Sequence, residues 1–361
     1  MARDWQQQSG TIFLWRQECV DCAPVANGSS VAHVCSGELV LPRDQIYQPV
    51  TDLILDRADP LPASATARLR LDECRPFLLA SSFGALVRET ARRVGVEPRA
   101  LAVRVLLHLP RVASYQGSVT RRQVQRELGI RAQQLRADVG AARGHIPIEE
   151  FPLRELIFEE IDRSRAAPVL AFLHYLRSFR PGSLYFALVD PVDRLPVSLC
   201  SVSPLQWKCV AKQIRAQFAI PPEGVWDISR MYSADGAPHN AISKLLSRVR
   251  TYFRHNIPSA HLLVTAVDPN LGFMGCSYRA ANWQQWMTVR ARPYLYDKGH
   301  YVSPRQLREL FGTSSLVELQ AQYSGRFEQS RMRLLDSVIY CCSINGGTEV
   351  VPAHARRRLH R

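Results

Sequence analysis

The spacing of hydrophobic positions changes along the chain. From about Leu78 to Arg143, apolar residues recur every three to four positions, the spacing of amphipathic helices. Beyond about residue 150 the pattern is mixed, and two apolar runs at 183–191 and 195–204 have the length and composition of strands joined by a short turn. The sequence therefore predicts a mostly helical N-terminal domain followed by an α/β (α+β) domain.

One stretch of the second half alternates strand and helix in close succession. A strand at 226–232 leads through ADGAPHN (234–240) into a helix at 241–254, and another strand follows at 261–267. The helix has a single apolar stripe, and Asn240 is expected to cap it. Because the first N–H groups of a helix have no partner within it, the sequence predicts an anion site where this helix begins.

These patterns predict consecutive segments along the chain. They are an N-terminal segment over 1–56, a linker over 57–75, a helical domain over 76–148, a mixed α/β domain over 150–345 and a basic tail over 346–361. The linker prediction depends on the run RADPLPASATA, which is rich in Pro, Ala and Ser and has no periodicity.

Charge points to a class of partner. The 361 residues include 46 Lys and Arg against 32 Asp and Glu, a formal net charge of +14. Lysine occurs at only four positions, so arginine supplies the other 42 cationic side chains. Genomic composition bias accounts for part of this, but a positive field of this size attracts polyanions. Nucleic acid, and DNA in particular, is the favoured partner, and another anionic partner or none is the alternative.

The sequence also favours a location. No apolar run reaches the length of a membrane span, and the first residues lack the basic-then-apolar order of a signal peptide. The nine cysteines are scattered, without the density of a small disulfide-stabilised domain. We therefore expect no membrane association and a cytoplasmic protein.

Four residues near the N-terminus have the side chains of a structural zinc site. They are Cys19, Cys22, His33 and Cys35. Thiolate and imidazole groups suit tetrahedral zinc, although the second pair is closer together than in most zinc ribbons. Unrelated, partly buried cysteines are the alternative.

The segment 118–144 resembles a helix-turn-helix in which Gly129 would make the turn. Four residues on or near the exposed part of the second helix are then candidates for nucleic-acid contact: Arg131, Gln133, Gln134 and Arg136. Arg and Gln contact base edges and phosphates. A plain helical hairpin with a solvated face is the alternative.

Polar residues of the strand and loop region are candidates for chemistry. Arg230 shares strand parity with Trp226 and Ile228, and because an unpaired charge on an apolar face is costly, it should meet an acidic partner or an anionic substrate. Asp268 ends a strand rich in Leu and Val, where α/β sheets present ligands; it would act as a general base or orient an amino group, or only start an Asp-Pro turn. Further candidates for substrate or donor contact are Ser233, Gly236, His239, Asn240, Ala241, Ser243 and Asn282.

The C-terminal two hundred residues resemble the GNAT superfamily of N-acyltransferases. In that fold two adjacent parallel strands splay apart, and the pyrophosphate of acyl-CoA lies on the loop and helix between them. The resemblance implies splayed strands at 226–232 and 261–267, acetyl-CoA or a related acyl donor, and Tyr278 as general acid to the departing thiolate. An aromatic residue of the core is the alternative for Tyr278. The family loop reads Arg/Gln-x-x-Gly-x-Gly/Ala, whereas DGAPHNA (235–241) is one glycine short.

A closer resemblance, over about residues 160–340, is to the phage Mu Mom family of DNA adenine-modifying proteins. It is carried by WDISRMYS, PHNAIS, LLVTAVDPNLGFMGCSYRAANW and YLYDKGHYVSPRQLRELFGTSS. The spaced pattern of that family is matched by Asp268-Pro269, Gly272, Gly275, Tyr278 and Asn282-Trp283. Phe273 departs from it, because the family often has His there.

The favoured hypothesis is a phage or prophage transferase that modifies the exocyclic amine of a DNA base, adenine by this resemblance. Asp268 and Tyr278 would be the catalytic residues, and the target base would be flipped out of the duplex. An acyl-CoA-dependent N-acyltransferase acting on a small amine or a protein is one alternative. A non-enzymatic DNA-binding protein is the other.

Overall fold

The computed structural model describes residues 82–115, 117–180, 182–218 and 220–345, together with the backbone of five short strands outside these ranges. The chain forms two compact units that interleave along the sequence. The first comprises the residues up to Gln134, Asp268–Cys276 and Ala291–Leu335, and the second comprises Leu135–Val267, Ser277–Arg290 and the residues from Asp336 onward. The sequence analysis predicted consecutive segments, whereas each observed unit combines segments that are separated in the sequence.

The helices of the described residues are α1 (Ser82–Val94), α2 (Pro98–Val112), α3 (Arg121–Ala141), α4 (Arg163–Pro168), α5 (Lys208–Phe218), α6 (Ala241–Asn256), α7 (Cys276–Ala280), α8 (Pro304–Phe311) and α9 (Leu316–Gln322). The strands are β1 (Thr11–Phe13), β2 (His33–Cys35), β3 (Glu38–Pro42), β4 (Arg68–Arg70), β5 (Ser118–Thr120), β6 (Ile157–Glu160), β7 (Leu184–Val189), β8 (Pro196–Pro204), β9 (Val225–Ser233), β10 (Leu262–Val267), β11 (Gln284–Val289), β12 (Leu295–Asp297), β13 (His300–Val302), β14 (Phe327–Gln329), β15 (Ser337–Ser343) and β16 (Arg358–Leu359).

An eight-stranded sheet forms the centre of the second unit, in the order β16-β11-β15-β10-β9-β8-β7-β6. Neighbours pair antiparallel except for two parallel pairs, β9 with β10 and β11 with β16. The parallel β9–β10 pair requires a crossover connection, and α6 provides it. The prediction of a mixed α/β fold with a large sheet is confirmed.

Helices cover both faces of this sheet. The apolar stripe predicted for the helix after β9 is buried in α6 through Leu245, Leu246, Val249 and Phe253, which pack against one face. On the other face, Val210 and Ile214 of α5 pack against the sheet. Strands β7 and β8 are buried along almost their whole length, as their continuous apolar runs indicate.

The first unit is built from helices and small sheets. Strands β13, β12 and β14 form one antiparallel sheet, and Leu307 of α8 and Leu319 of α9 are buried in the small core beside it. A capping box at Ser303 and Gln306 begins α8, and Gly312 ends it with a left-handed backbone (φ 75°). Strands β1, β3 and β2 form a second sheet, and β4 pairs with β5.

The predicted turn at Gly129 is wrong, because α3 is continuous from Arg121 to Ala141. Its buried residues Val124, Leu128 and Ala132 follow one another at four-residue spacing on both sides of the glycine. Packing of this uninterrupted face outweighs the roughly 1 kcal/mol by which glycine disfavours a helix interior.

Other expectations fall partly outside the described residues. Cys19 and Cys22 lie outside them, as does the predicted linker apart from β4; of β2, which holds His33 and Cys35, only the backbone is described. Among the described side chains, no group of three or more His, Cys, Asp or Glu is placed to hold a metal ion. No helix in the described part of the chain is long and apolar enough to cross a membrane.

Candidate functional site

The parallel strands β9 and β10 separate along their length. They are paired only from Val225 opposite Leu262 to Asp227 opposite Val264. Beyond this point β9 continues to Ser233 alongside β8, whereas β10 continues to Val267 alongside β15. The two central strands therefore splay apart, as the sequence analysis expected, and beyond the last pair their backbones no longer form ladder hydrogen bonds with each other.

A β-bulge lies where the splay begins. The pairing of β8 with β9 shifts so that Ser201 faces Arg230 and Val202 faces Ile228, which leaves Ser229 as the extra residue. A bulge bends its strand and increases its twist, and this one lies just past Asp227, the last residue of β9 that pairs with β10. It also reverses the alternation of side chains, because Ile228 and Met231 pack in the same core although they are three residues apart.

The bulge corrects the face predicted for Arg230. Strand parity predicted that Arg230 lies on the face of Trp226 and Ile228, but the extra residue moves it to the opposite face. There its guanidinium donates to the carbonyl (3.0 Å) and hydroxyl (2.8 Å) of Ser178 and to the carbonyl of Ser229 (2.6 Å). Neutral oxygens therefore accept from Arg230, and it also contributes to the electrostatics of Asp227.

Thr265 bridges the opening between the splayed strands. Its Oγ1 lies 3.0 Å from the carbonyl oxygen of Ile228 on β9 and 3.3 Å from the hydroxyl oxygen of Tyr278. Thr265 is buried. Its single hydroxyl proton thus has two acceptors within reach, and when that proton points to the carbonyl, Tyr278 is the donor between the two hydroxyls.

Tyr278 is held at this opening by aromatic neighbours. Its ring stacks on Tyr340 with centroids 5.8 Å apart and leans on Trp283 at 5.4 Å. Burial raises the pKa of Tyr278 to about 12, since the charged form would be desolvated, while the hydrogen bond with Thr265 acts in the opposite direction. The hydroxyl therefore keeps its proton at neutral pH.

An ion pair lies at the last paired position of β9. Nη1 of Arg180 lies 2.7 Å from Oδ2 of Asp227 and also donates to the hydroxyl of Ser203 at 2.8 Å. Burial raises the pKa of Asp227, and the adjacent Arg180 opposes that rise. Both side chains are mostly buried, so this pair fixes the strand next to the splay.

The start of α6 has part of the geometry of an anion site. Asn240 takes the cap position with a left-handed backbone (φ 66°), but its side chain makes no capping hydrogen bond, in contrast to the prediction. Ser243 lies in the first turn, with its hydroxyl 3.5 Å from the carbonyl of Ser277. Ala241 is buried at the first helical position, and its N–H donates to the carbonyl of Pro238.

The loop before α6 is partly covered. A methyl group placed on Gly236 would lie 2.9 Å from Cγ of Glu150 and 3.3 Å from its Oε1. The exposed carboxylate of Glu150 thus lies against the one glycine of the loop. A pyrophosphate could lie on this glycine only after Glu150 moves, since the two groups have the same sign of charge.

The remaining candidates of this region are dispersed. The hydroxyl of Ser233 is 2.9 Å from that of Ser198 across the β8–β9 pair. His239 is exposed in the loop. Asn282 takes a left-handed backbone (φ 61°) just before Trp283, which is buried against Tyr278. Ser233 and Asn282 thus have visible structural roles.

Asp268 belongs to the first unit, where its contacts are those of a cap. Its Oδ1 accepts from the backbone N–H of Asn270 (2.9 Å) and from the side-chain amide of Asn270 (2.7 Å), and its Oδ2 accepts from the hydroxyl of Tyr294. Burial and this carboxylate raise the pKa of Tyr294 well above its usual value. Asp268 and Tyr278 lie in different units.

The candidates for nucleic-acid contact on α3 divide into two groups. Arg131 is buried and donates to Glu127 (3.2 Å) and to the side chain of Gln134 (3.0 Å), so the prediction that it lies exposed is wrong. Glu127 is buried too and also pairs with Arg111 at 2.7 Å. Gln133 and Arg136 are exposed, as predicted.

Sequence reasoning did not single out Thr265, Asp227 or Glu150. Thr265 gave a weak signal, because it is the one polar residue in the apolar strand LLVTAV. Asp227 gave a similar one, as a carboxylate between apolar neighbours in β9. The contact of Glu150 with Gly236 joins residues far apart in the chain, and no local pattern indicates it.

Comparison with known proteins gives a family match. The model of the Mom protein family matches residues 155–335. None of the curated proteins compared matches the sequence. Solved structures that match include ribosomal-protein-S5-alanine acetyltransferase from Vibrio fischeri, with 9% identity over 55% of this chain and 97% of that chain and a TM-score of 0.30. Spermidine N-acetyltransferase from Vibrio cholerae, in complex with CoA and spermine, matches with 10% identity over 53% and 96% and a TM-score of 0.27.

Proposed function

Because the chain belongs to the Mom protein family, we propose that it is a transferase that modifies the exocyclic amine of a DNA base, adenine by its family. The observation that carries this proposal is the opening between β9 and β10, with the hydroxyl of Tyr278 held beside it through Thr265. The net charge of +14 supports a polyanionic substrate. The target base must leave the duplex to reach such a site.

An acyl-CoA is the donor that this architecture favours, and when bound it would supply an activated acyl group. The facing edges of β9 and β10 beyond Asp227 and Val264 offer backbone groups that are not paired with each other. The first-turn N–H groups of α6 that follow Ala241 would hold an anionic part of the donor, helped by the helix dipole. The strands and the helix fit such a donor, whereas Glu150 over Gly236 opposes it until its exposed side chain moves.

Tyr278 is the residue best placed to handle a proton. Its pKa of about 12 keeps the hydroxyl protonated at neutral pH, so it can give this proton to a leaving group. Thr265 can then turn its own proton from the carbonyl of Ile228 to the tyrosinate oxygen, because both acceptors lie within reach. A catalytic role for Asp268 is a weaker proposal, since its carboxylate already accepts from Asn270 and Tyr294.

The test is mass spectrometry of nucleosides from the DNA of cells that express the wild-type chain, Tyr278→Phe or Tyr252→Phe. Tyr252→Phe is the matched control, because it removes a tyrosine hydroxyl that donates to Glu160 in a solvent-exposed hydrogen bond. We expect a modified deoxyadenosine with the wild type and the control and about 100-fold less or none with Tyr278→Phe, and its mass identifies the transferred group. Unmodified DNA in cells with abundant folded protein would replace this proposal with an acyltransferase that acts on another amine.

A further inference from the structure

A row of cations follows one face of α5. Lys208, Lys212 and Arg215 are spaced by four and three residues, so their side chains lie on the same side of the helix. All three are exposed. The opposite side of α5 is anchored, because Val210 and Ile214 are buried against the sheet. The helix therefore presents this basic row outward on a rigid support.

The same residues line a cavity of about 340 Å³. The other residues of its lining are Leu205, Gln206, Ala211 and Pro222. None of these described residues has a carboxylate, and Glu223, which follows Pro222, is exposed and is not part of the lining. Like charges at this spacing destabilise a helix. An anion held in the cavity would remove that repulsion.

The composition of the row is also unusual for this chain. Two of the four lysines in the whole sequence lie here, although arginine fills the other 42 cationic positions. A bias toward arginine therefore does not explain Lys208 and Lys212. Lysine is a compact charge on a flexible stem that binds phosphate as a point charge.

We propose that the α5 row, defined as Lys208, Lys212 and Arg215, binds the phosphodiester backbone of duplex DNA. The inference rests on the proposed function, to which it adds the surface that holds the substrate. Lys208 and Arg215 are seven residues apart, which corresponds to about 10 Å along the helix axis. This is roughly the axial length of three successive phosphate intervals of one DNA strand. Such contacts hold and orient the duplex without reading its sequence.

The test compares two triple variants of the full chain. K208Q/K212Q/R215Q removes the α5 row. R154Q/R248Q/R290Q is the matched control, because it removes the same charge from three exposed arginines elsewhere in the second unit. A third variant, K208R/K212R, keeps the charge. The measurement is the affinity for a duplex of fixed sequence at several salt concentrations, together with thermal unfolding of each protein.

We expect the α5 variant to lower the slope of log affinity against log salt by about 1 for each residue removed, a total of 2 to 3, and to weaken binding at low salt by about tenfold or more. The control should change the slope much less, and K208R/K212R should behave like the wild type. A wild-type slope in the α5 variant, or an equal fall in both triple variants, would overturn the inference and leave the proposed function in place.

A wild-type protein that does not bind DNA at low salt would overturn the inference and the DNA substrate together. A free polyphosphate presents the same phosphate groups as DNA, and tripolyphosphate tests for it. The row binds a free polyphosphate and not DNA if two results are found together. Tripolyphosphate would then raise the thermal stability of the wild type but not of the α5 variant, and both proteins would bind the duplex equally. Tripolyphosphate that competes with the duplex for the α5 row supports the inference.

Discussion

The hydroxyl oxygens of Thr265 and Tyr278 lie 3.3 Å apart at the point where β9 and β10 separate. Thr265→Val keeps the shape of the side chain but removes the proton that can stabilise a tyrosinate. We expect this variant to lower the rate of DNA modification about 3- to 10-fold, the effect of one hydrogen bond of about 1 kcal/mol. Tyr278→Phe should lower it about 100-fold or more, because it removes the acid itself.

Two further variants distinguish a purely structural role of Thr265 from its role in stabilising a tyrosinate at Tyr278. Thr265→Ser should restore the rate, since it restores the hydroxyl. In the Tyr278→Phe background, Thr265→Val should have little further effect on rate, because the group on which it acts is already absent. Equal losses in both backgrounds would show that Thr265 acts independently of Tyr278.

Asp268 yields a prediction about stability. Asp268→Ala leaves Asn270 and Tyr294 without their acceptor, so we expect the free energy of unfolding to fall by about 1–3 kcal/mol. Asp268→Asn should retain most of the stability and the modification activity, because its amide oxygen still accepts from the N–H of Asn270. Denaturant unfolding and the nucleoside assay measure the two effects. A stable Asp268→Asn protein without activity would instead favour a catalytic carboxylate.

The order of helices and strands around the site could be predicted from the sequence because each element has its own local pattern of apolar residues. Helix α6 has a clear apolar stripe, β10 is an apolar run, and β9 places polar residues between apolar ones as a strand does, so the crossover and its parallel strands follow. The splay was expected from the family resemblance. The face of Arg230 could not be predicted, because parity assumes unbroken alternation and the bulge at Ser229 interrupts it.

The other features that could not be predicted from the sequence depend on contacts between residues that are far apart in the chain. Asp268 follows a strand end, where a functional carboxylate is common, but its acceptor role depends on Tyr294, 26 residues later. Gly129 has the local signal of a turn, yet the buried face of α3 continues past it. Arg131 was assigned to the exposed face, whereas it pairs with Glu127 in the interior. In each case tertiary packing decided between two local interpretations.

Glu150 gives a test of the donor. If an acyl-CoA pyrophosphate lies on the loop at Gly236, Glu150→Ala should tighten CoA binding about threefold, because a like charge is removed. Glu149→Ala is the matched control, since it removes the same charge from the neighbouring exposed position. Calorimetric titration of CoA into the three proteins measures the difference. Equal dissociation constants would mean that no anionic group of the donor approaches this loop.

His108 predicts how stability depends on pH in the first unit. The buried ring contacts the carbonyl of Arg104 through Nδ1 (2.7 Å) and the N–H of Tyr301 through Nε2 (3.4 Å), an arrangement that requires a neutral imidazole with its proton on Nδ1. Burial lowers the pKa of His108 to about 3, and the positive charge of Arg131 adds to this. The unfolded chain has a pKa near 6.5, so the unfolded state binds the proton first.

Because the pKa of His108 is lower in the folded than in the unfolded protein, the folded state loses stability as the pH falls. The contribution of neutral His108 is fully present above about pH 6.5 and is lost as the pH falls toward 3, at up to about 1.4 kcal/mol per pH unit. We expect His108→Asn, whose amide can still donate to the carbonyl of Arg104, to reduce the slope of unfolding free energy against pH between 6 and 4. His255→Asn is the control, because that histidine is exposed on α6. Equal slopes for wild type and His108→Asn would show that His108 accepts a proton in the folded protein as readily as in the unfolded chain.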